Sequence, residues 1–91
     1  MTKMFEAALG CYNHVIRLNP TCTDVYNNKG VTLSDLGRNH EAIECYDKAI
    51  ELDPYYAAIY YNNKGNALKH LNRQHEAISY YDQSLQLNLT Y

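Results

Sequence analysis

The sequence has no tryptophan, one phenylalanine, two prolines and three cysteines, and no excess of basic residues. Each shortage excludes something. No apolar run approaches the roughly 20 residues a membrane helix needs, and Met1–Glu6 leads into no apolar export core, so no membrane association is expected. Cys11, Cys22 and Cys45 are an odd number with no CxxC pair, which suits neither a disulfide framework nor a zinc ligand set. Reduced thiols and a cytoplasmic location are the expectation. Eight Lys and Arg against ten Asp and Glu give a formal charge of −2, which does not suit a phosphate-backbone footprint; no nucleic acid partner is expected. GxGxxG, GxxxxGK, HExxH and GxSxG are all missing, and 91 residues leave no room for a cleft between two lobes, so an enzyme is not expected and no cofactor is implied. A single domain of this size buries only roughly 60 to 65% of its unfolded surface.

What is abundant is tyrosine, ten in all, and asparagine, also ten. Much of this abundance is duplication. Shifted by 35 residues, Tyr26-Asn27-Asn28-Lys29-Gly30 falls on Tyr61-Asn62-Asn63-Lys64-Gly65. Arg38, His40-Glu41-Ala42-Ile43 and Tyr46-Asp47 fall on Arg73, His75-Glu76-Ala77-Ile78 and Tyr81-Asp82. Between 26–56 and 61–91, 16 of 31 positions are identical. A shift of 34 lays Ala8, Cys11-Tyr12, Ile16, Leu18 and Pro20 on Ala42, Cys45-Tyr46, Ile50, Leu52 and Pro54. The chain therefore holds the second half of one unit and two full copies, with one residue inserted between Pro54 and Tyr61, in a connector.

Within a unit, Tyr26, Gly30, Leu33 and Leu36 recur at a helical period, as do Ala42, Ile43, Tyr46, Ala49 and Ile50. Leu36-Gly37 reads as a helix end, because Gly enters the left-handed region a C-cap needs; Asn72, the other residue type that does so readily, stands at the matching site. Pro20 and Pro54 stop the second helix of their units. Gly30 and Gly65 sit in helix interiors at a cost of about 1 kcal/mol each relative to Ala. The expected reason is a close helix crossing that sets Ala42 against Gly30 and Ala77 against Gly65, with Tyr26, Leu33, Tyr46 and Ile50 closing around it. Gly30→Leu or Ala42→Leu would then overpack it by roughly 1–3 kcal/mol.

A 34-residue helix-turn-helix with an aromatic, Gly four residues on, then Leu, Ala, Tyr, Ala and Pro in this order resembles the tetratricopeptide repeat. The resemblance implies an all-α fold: antiparallel helix pairs stacked as a short right-handed superhelix, an α-solenoid of about five helices. It divides one domain, 1–91, into the second helix of a partial repeat at 4–20, a full repeat at 23–56 and another at 58–91 without its terminal Pro. Tyr26 and Tyr61 stand where the family often has Trp. Lys29 and Lys64 replace a usual Leu; their stems would cover apolar surface while the ammonium reaches water. Ser84 and Leu89 replace a small apolar residue and the Pro, so the last helix lacks its usual stop.

His40 and His75, one repeat apart with no converging third ligand, read as solvated helix starts and not as a metal site; His14, His70, Cys11 and Cys45 read as structural. Asn88-Leu89-Thr90 fits a glycosylation pattern only by chance in a chain without a secretory signal. A surface is the better candidate. With Tyr26, Gly30 and Leu33 turned inward, Asp24, Asn27, Asn28, Val31, Ser34 and Asp35 share the opposite stripe, and Ile59, Asn62, Asn63, Asn66, Lys69 and His70 are its next copy. The resemblance implies that this stripe lines a concave groove holding an extended or helical segment of a partner protein. Its contacts would be Asn27, Asn28, Val31, Asn62, Asn63, Asn66 and Lys69, the carboxamides offering both donors and acceptors to peptide backbone. A solvating, helix-starting role is the plainer alternative for the Asn pairs. Lys69 is the one Lys or Arg on the stripe, too few for the carboxylate clamps some members carry.

Solenoid units bury their core between neighbours. Leu9, Ile16 and Leu18 at one end, and Tyr81, Leu85 and Leu89 at the other, would leave apolar faces partly uncovered. Membership of a longer array, self-association through the terminal helices and simple fraying each account for that. The rivals to a peptide-binding scaffold are thus a homo-oligomerisation module and, against the charge, single-stranded nucleic acid stacked on the Tyr doublets.

Overall fold

The computed structural model describes residues 2–90, with side chains described over 4–88. Among them are five α-helices: α1 (Thr2–Leu18), α2 (Thr23–Asp35), α3 (Asn39–Leu52), α4 (Ala58–His70) and α5 (Gln74–Thr90), with a single 3-10 turn at Pro54–Tyr56. Each helix packs on its successor in the chain, giving a flattened stack of 35 × 28 × 16 Å. No helix among the described residues is long and apolar enough to cross a membrane. Because α2 starts at Thr23 and α4 at Ala58, the inserted residue lies between Pro54 and Ala58, in the connector that carries the 3-10 turn.

The turns inside each full unit are built alike. Gly37 has φ 79° and Asn72 φ 62°. The Gly37 and Arg38 amides donate to the carbonyls of Ser34 (2.9 Å) and Leu33 (2.8 Å); those of Asn72 and Arg73 donate to Lys69 (3.0 Å) and Leu68 (2.9 Å). These are paired Schellman closures, and they require a residue tolerant of positive φ at that one place. The next residue then starts the second helix with a forked ion pair. Arg38 Nε and Nη2 donate to Glu41 at 2.8 and 2.7 Å, and Arg73 to Glu76 at 2.9 and 2.6 Å. Hydrogen bonding from each arginine holds the glutamate carboxyl below its usual range. Without a proline at the position matching Pro54, α5 runs 17 residues where α3 runs 14.

The first core cluster unites Leu9 of α1, Leu33 of α2, Ala42, Cys45 and Tyr46 of α3, and Ala67 of α4. Burial raises the Cys45 thiol, which keeps it protonated and inert. Two expectations change here. Leu9 is 6% exposed; it is core, because α1 turns it onto α2 and α3, while Leu18 at 73% and Leu85 at 57% are open. Leu89 lies outside the residues whose side chains are described. The occupant of the glycine notch is also different. A Cβ on Gly30 would stand 2.5 Å from Tyr46 Cε1, and one on Gly65 2.6 Å from Tyr81 Cε1. Gly30 therefore faces the flat of an aromatic ring and not Ala42. A ring needs the width of a missing Cβ to lie across a helix, whereas Ala42, 0% exposed, is small for its place in the wider cluster.

Candidate functional site

The first helices of the two full units, α2 and α4, approach each other, and the side chains between them form a shallow groove of about 290 Å³. Val31, Ser34 and Asp35 of α2 line one side and Asn63, Asn66, Lys69 and His70 of α4 the other; Tyr46 of α3 also reaches it. The wall is held by polar contacts. Asn63 Nδ2 donates to Asn27 Oδ1 at 2.9 Å, joining the two units. Tyr81 donates its hydroxyl to Asn66 Oδ1 at 2.6 Å. Ser34 Oγ donates to Asn39 Oδ1 at 2.9 Å, fixing the α2–α3 turn against α2. Val31 is 39% exposed, and Lys69 and His70 are exposed.

Of the residues expected in the groove, Val31, Asn63, Asn66 and Lys69 come together there. Asn27 is spent on Asn63 and acts through it as a brace. Asn28 is exposed on α2 one unit before Asn63. Asn62 lies elsewhere, in a cleft of about 460 Å³ with Tyr55, Tyr56, Ile59, Ser84 and Asn88. Neighbouring positions on one helix diverge by about 100°, and Asn62 and Asn63 are split between two clefts. Tyr46 is a lining residue that periodicity assigned wholly to the core. Burial pushes its hydroxyl up to about 12, with Cys45 and Asp35 adding to the rise.

Lys64 was expected to lift its ammonium into water, and it does not. Its side chain is 13% exposed, and Nζ reaches Asp47 Oδ1 of the preceding unit at 2.6 Å while lying 4.1 Å from the centre of the Tyr80 ring. Burial works to lower this ammonium, but the contacts to Asp47 and Tyr80 outweigh it and leave the pKa raised. Tyr80 itself stacks on Tyr61, ring centres 6.0 Å apart. The joint between units is therefore polar at its rim, Asn27–Asn63 and Asp47–Lys64, around a buried cluster of Ala49, Ala57 and Tyr60. His40 and His75 are exposed, and no group of three His, Cys, Asp or Glu suited to a metal ion occurs among the described residues.

This architecture is shared. MamA, a solved structure, superposes with a TM-score of 0.91 at 27% identity, covering 99% of this chain and 52% of that one. The peroxisomal targeting signal receptor of Saccharomyces cerevisiae is 31% identical over 52 residues, 57% of this chain. The Hsp70-Hsp90 organizing protein of Triticum aestivum is 36% identical over 56 residues, 62% of this chain. The matches span 8% and 10% of those two curated relatives and about half of MamA. The model of the tetratricopeptide repeat matches residues 22–89. With the duplicated helix pairs, the Schellman turns and the glycine notches, that match establishes that the chain belongs to the tetratricopeptide repeat family.

Proposed function

We propose that this chain is a non-catalytic scaffold that holds an extended or helical segment of another protein in the groove between α2 and α4. The observation that carries the reading is the groove's chemistry. Val31 offers an exposed apolar contact, Asn63 and Asn66 present carboxamides already oriented by Asn27 and Tyr81, and Lys69 and Asp35 add one charge of each sign to the lining. Pre-oriented amides lose little entropy on meeting a peptide backbone. Two relatives bear names of proteins that act on others, a targeting signal receptor and an organizer of Hsp70 and Hsp90, which supports the same class of role.

The test is selection of peptides from a displayed library against the protein, followed by titration of the winners against Val31→Lys and Lys69→Glu. Both residues are exposed, so melting should stay within about 0.5 kcal/mol of the parent. Affinity for the selected peptides should fall at least tenfold. Peptides bound equally by both variants would place recognition elsewhere on the molecule.

A further inference from the structure

Tyr46 and Tyr81 hold the same place in successive units, and each lays its ring across the helical glycine of its own unit, Gly30 or Gly65. The two rings therefore deliver their hydroxyls toward matching positions. In the second full unit the residue after the glycine is Asn66, and Tyr81 donates to its Oδ1 at 2.6 Å. In the first unit that residue is Val31, whose side chain has no acceptor. Nothing replaces the lost bond, since the Tyr46 hydroxyl forms no hydrogen bond among the described residues. Tyr46 is 2% exposed, yet no wholly enclosed side-chain oxygen or nitrogen lacks a partner among those residues. The small part of this side chain that stays open therefore includes its hydroxyl. It opens onto the groove between α2 and α4, beside Val31, Asn63 and Asn66. A polar group so nearly covered is left short of a partner once the groove fills, unless the guest supplies one.

We propose that the Tyr46 hydroxyl is the specificity-determining donor on the floor of the groove, where it binds a backbone carbonyl of a partner segment in extended form. Burial holds the hydroxyl protonated far above neutral pH, with Cys45 and Asp35 adding to the effect, so it presents a donor. Asp35 lines the same groove and disfavours a carboxylate at that place, which leaves a neutral acceptor as the fitting guest atom. The carboxamides beside it complete the pattern. Asn66 has its carbonyl engaged by Tyr81 and offers its N–H groups, while Asn63 gives an N–H to Asn27 and keeps its carbonyl free to accept. Donors and an acceptor side by side match the edge of an extended chain, which shows carbonyls and amides together. A helical segment spends all but its last carbonyls on its own amides. Of the two forms of guest considered for the groove, the subsite thus selects the extended one. This inference rests on the α2–α4 groove being the binding site and adds the group that reads the guest.

The probes are end-blocked peptides selected from a displayed library against the whole protein. The tightest is remade with each amide in turn replaced by an alkene, which removes the carbonyl, or by an ester, which keeps it and removes only the N–H. Tyr46→Phe keeps the ring on Gly30 and should leave melting unchanged, while affinity for the parent peptide falls about fivefold, the worth of one neutral hydrogen bond. One alkene peptide should lose about the same factor against the parent protein and nothing further against Tyr46→Phe, with the ester at that bond harmless. Val31→Asn copies the second unit and gives the hydroxyl an internal acceptor, so in that background Tyr46→Phe should cost no affinity. A peptide weakened by Val31→Lys and Lys69→Glu but bound equally by Tyr46→Phe overturns this subsite and leaves the groove standing. So does a Tyr46→Phe loss that no single carbonyl shares, or a bound peptide found helical by transferred nuclear Overhauser effects. Peptides indifferent to all of these variants, or a library without binders, overturn the subsite and the groove together.

Discussion

Replacing three helical glycines one at a time by alanine separates backbone propensity from packing. Each change should gain about 1 kcal/mol of helix propensity; the surroundings decide what is lost. At Gly10 of α1 a Cβ meets nothing within 4 Å, so Gly10→Ala should stabilise by up to about 1 kcal/mol. At Gly30 the new carbon would lie 2.5, 2.9 and 3.0 Å from three atoms of the Tyr46 ring, where contacts of about 3.5–4.0 Å are comfortable. Tyr46 is 2% exposed and shares its cluster with residues of α1, α2 and α4, so the ring cannot withdraw by the required ångström without moving helices. An overpacking cost of about 3 kcal/mol, less the propensity gain, leaves a net loss of about 2 kcal/mol. Melting should fall by roughly 8–16 °C in a domain of this size. At Gly65 the approach to Tyr81 is as close, 2.6 Å, but Tyr81 is only half-buried. It can swing outward for about the 1 kcal/mol of its hydrogen bond to Asn66, so Gly65→Ala should be near neutral. Far-UV circular dichroism during thermal and urea unfolding reads all three, and Tyr46→Leu in the Gly30→Ala background should recover stability. A Gly30→Ala protein melting at or above the parent would refute the ring-on-glycine account.

Two further predictions concern the joint and the ring. Lys64→Ala removes the largely covered end of the Asp47 pair and should cost about 1 kcal/mol in urea unfolding; exchanging the two charges as Lys64→Asp with Asp47→Lys should recover part of it, and additive losses would deny the coupling. Because the Tyr46 hydroxyl is raised from 10 to about 12 in the fold, its contribution is complete below pH 10 and lost as pH climbs through about 12. The gap between parent and Tyr46→Phe should therefore shift by no more than about 3 kcal/mol over that window, less for whatever water reaches the hydroxyl. A parent and variant whose stabilities run parallel from pH 9 to 12 would count against the buried hydroxyl.

The legible and illegible parts of the molecule divide by range. The helix ends at Gly37 and Asn72 were readable because their requirement, a positive φ, is local and few residue types meet it. The notches at Gly30 and Gly65 were readable as notches, since a duplicated glycine inside a helix needs a reason; their occupants were not. Ala42 and Tyr46 lie on the same face of α3, one turn apart, and only the crossing of α2 over α3 selects between them. The groove was half readable. Seven residues of the expected stripe, from Val31 to His70, line one groove between α2 and α4, yet Asn62 and Asn63 diverge to separate clefts, and Asn27 is consumed by Asn63.

By itself the sequence determined what repeats and what is local: helix pairs with a 35-residue spacing, their caps, the inward faces, and membership of a family in which such pairs stack. Tertiary structure alone decided what depends on one unit meeting the next. It sealed Leu9 into the core and laid Tyr46 over Gly30. It drew Lys64 out of water onto Asp47, and it turned Asn62 into a cleft separate from the groove that holds Asn63. The reason is geometric. A helical period assigns each residue to a face within one helix, but partners are chosen by the crossing and spacing of neighbouring helices, and those are settled only when the units pack together.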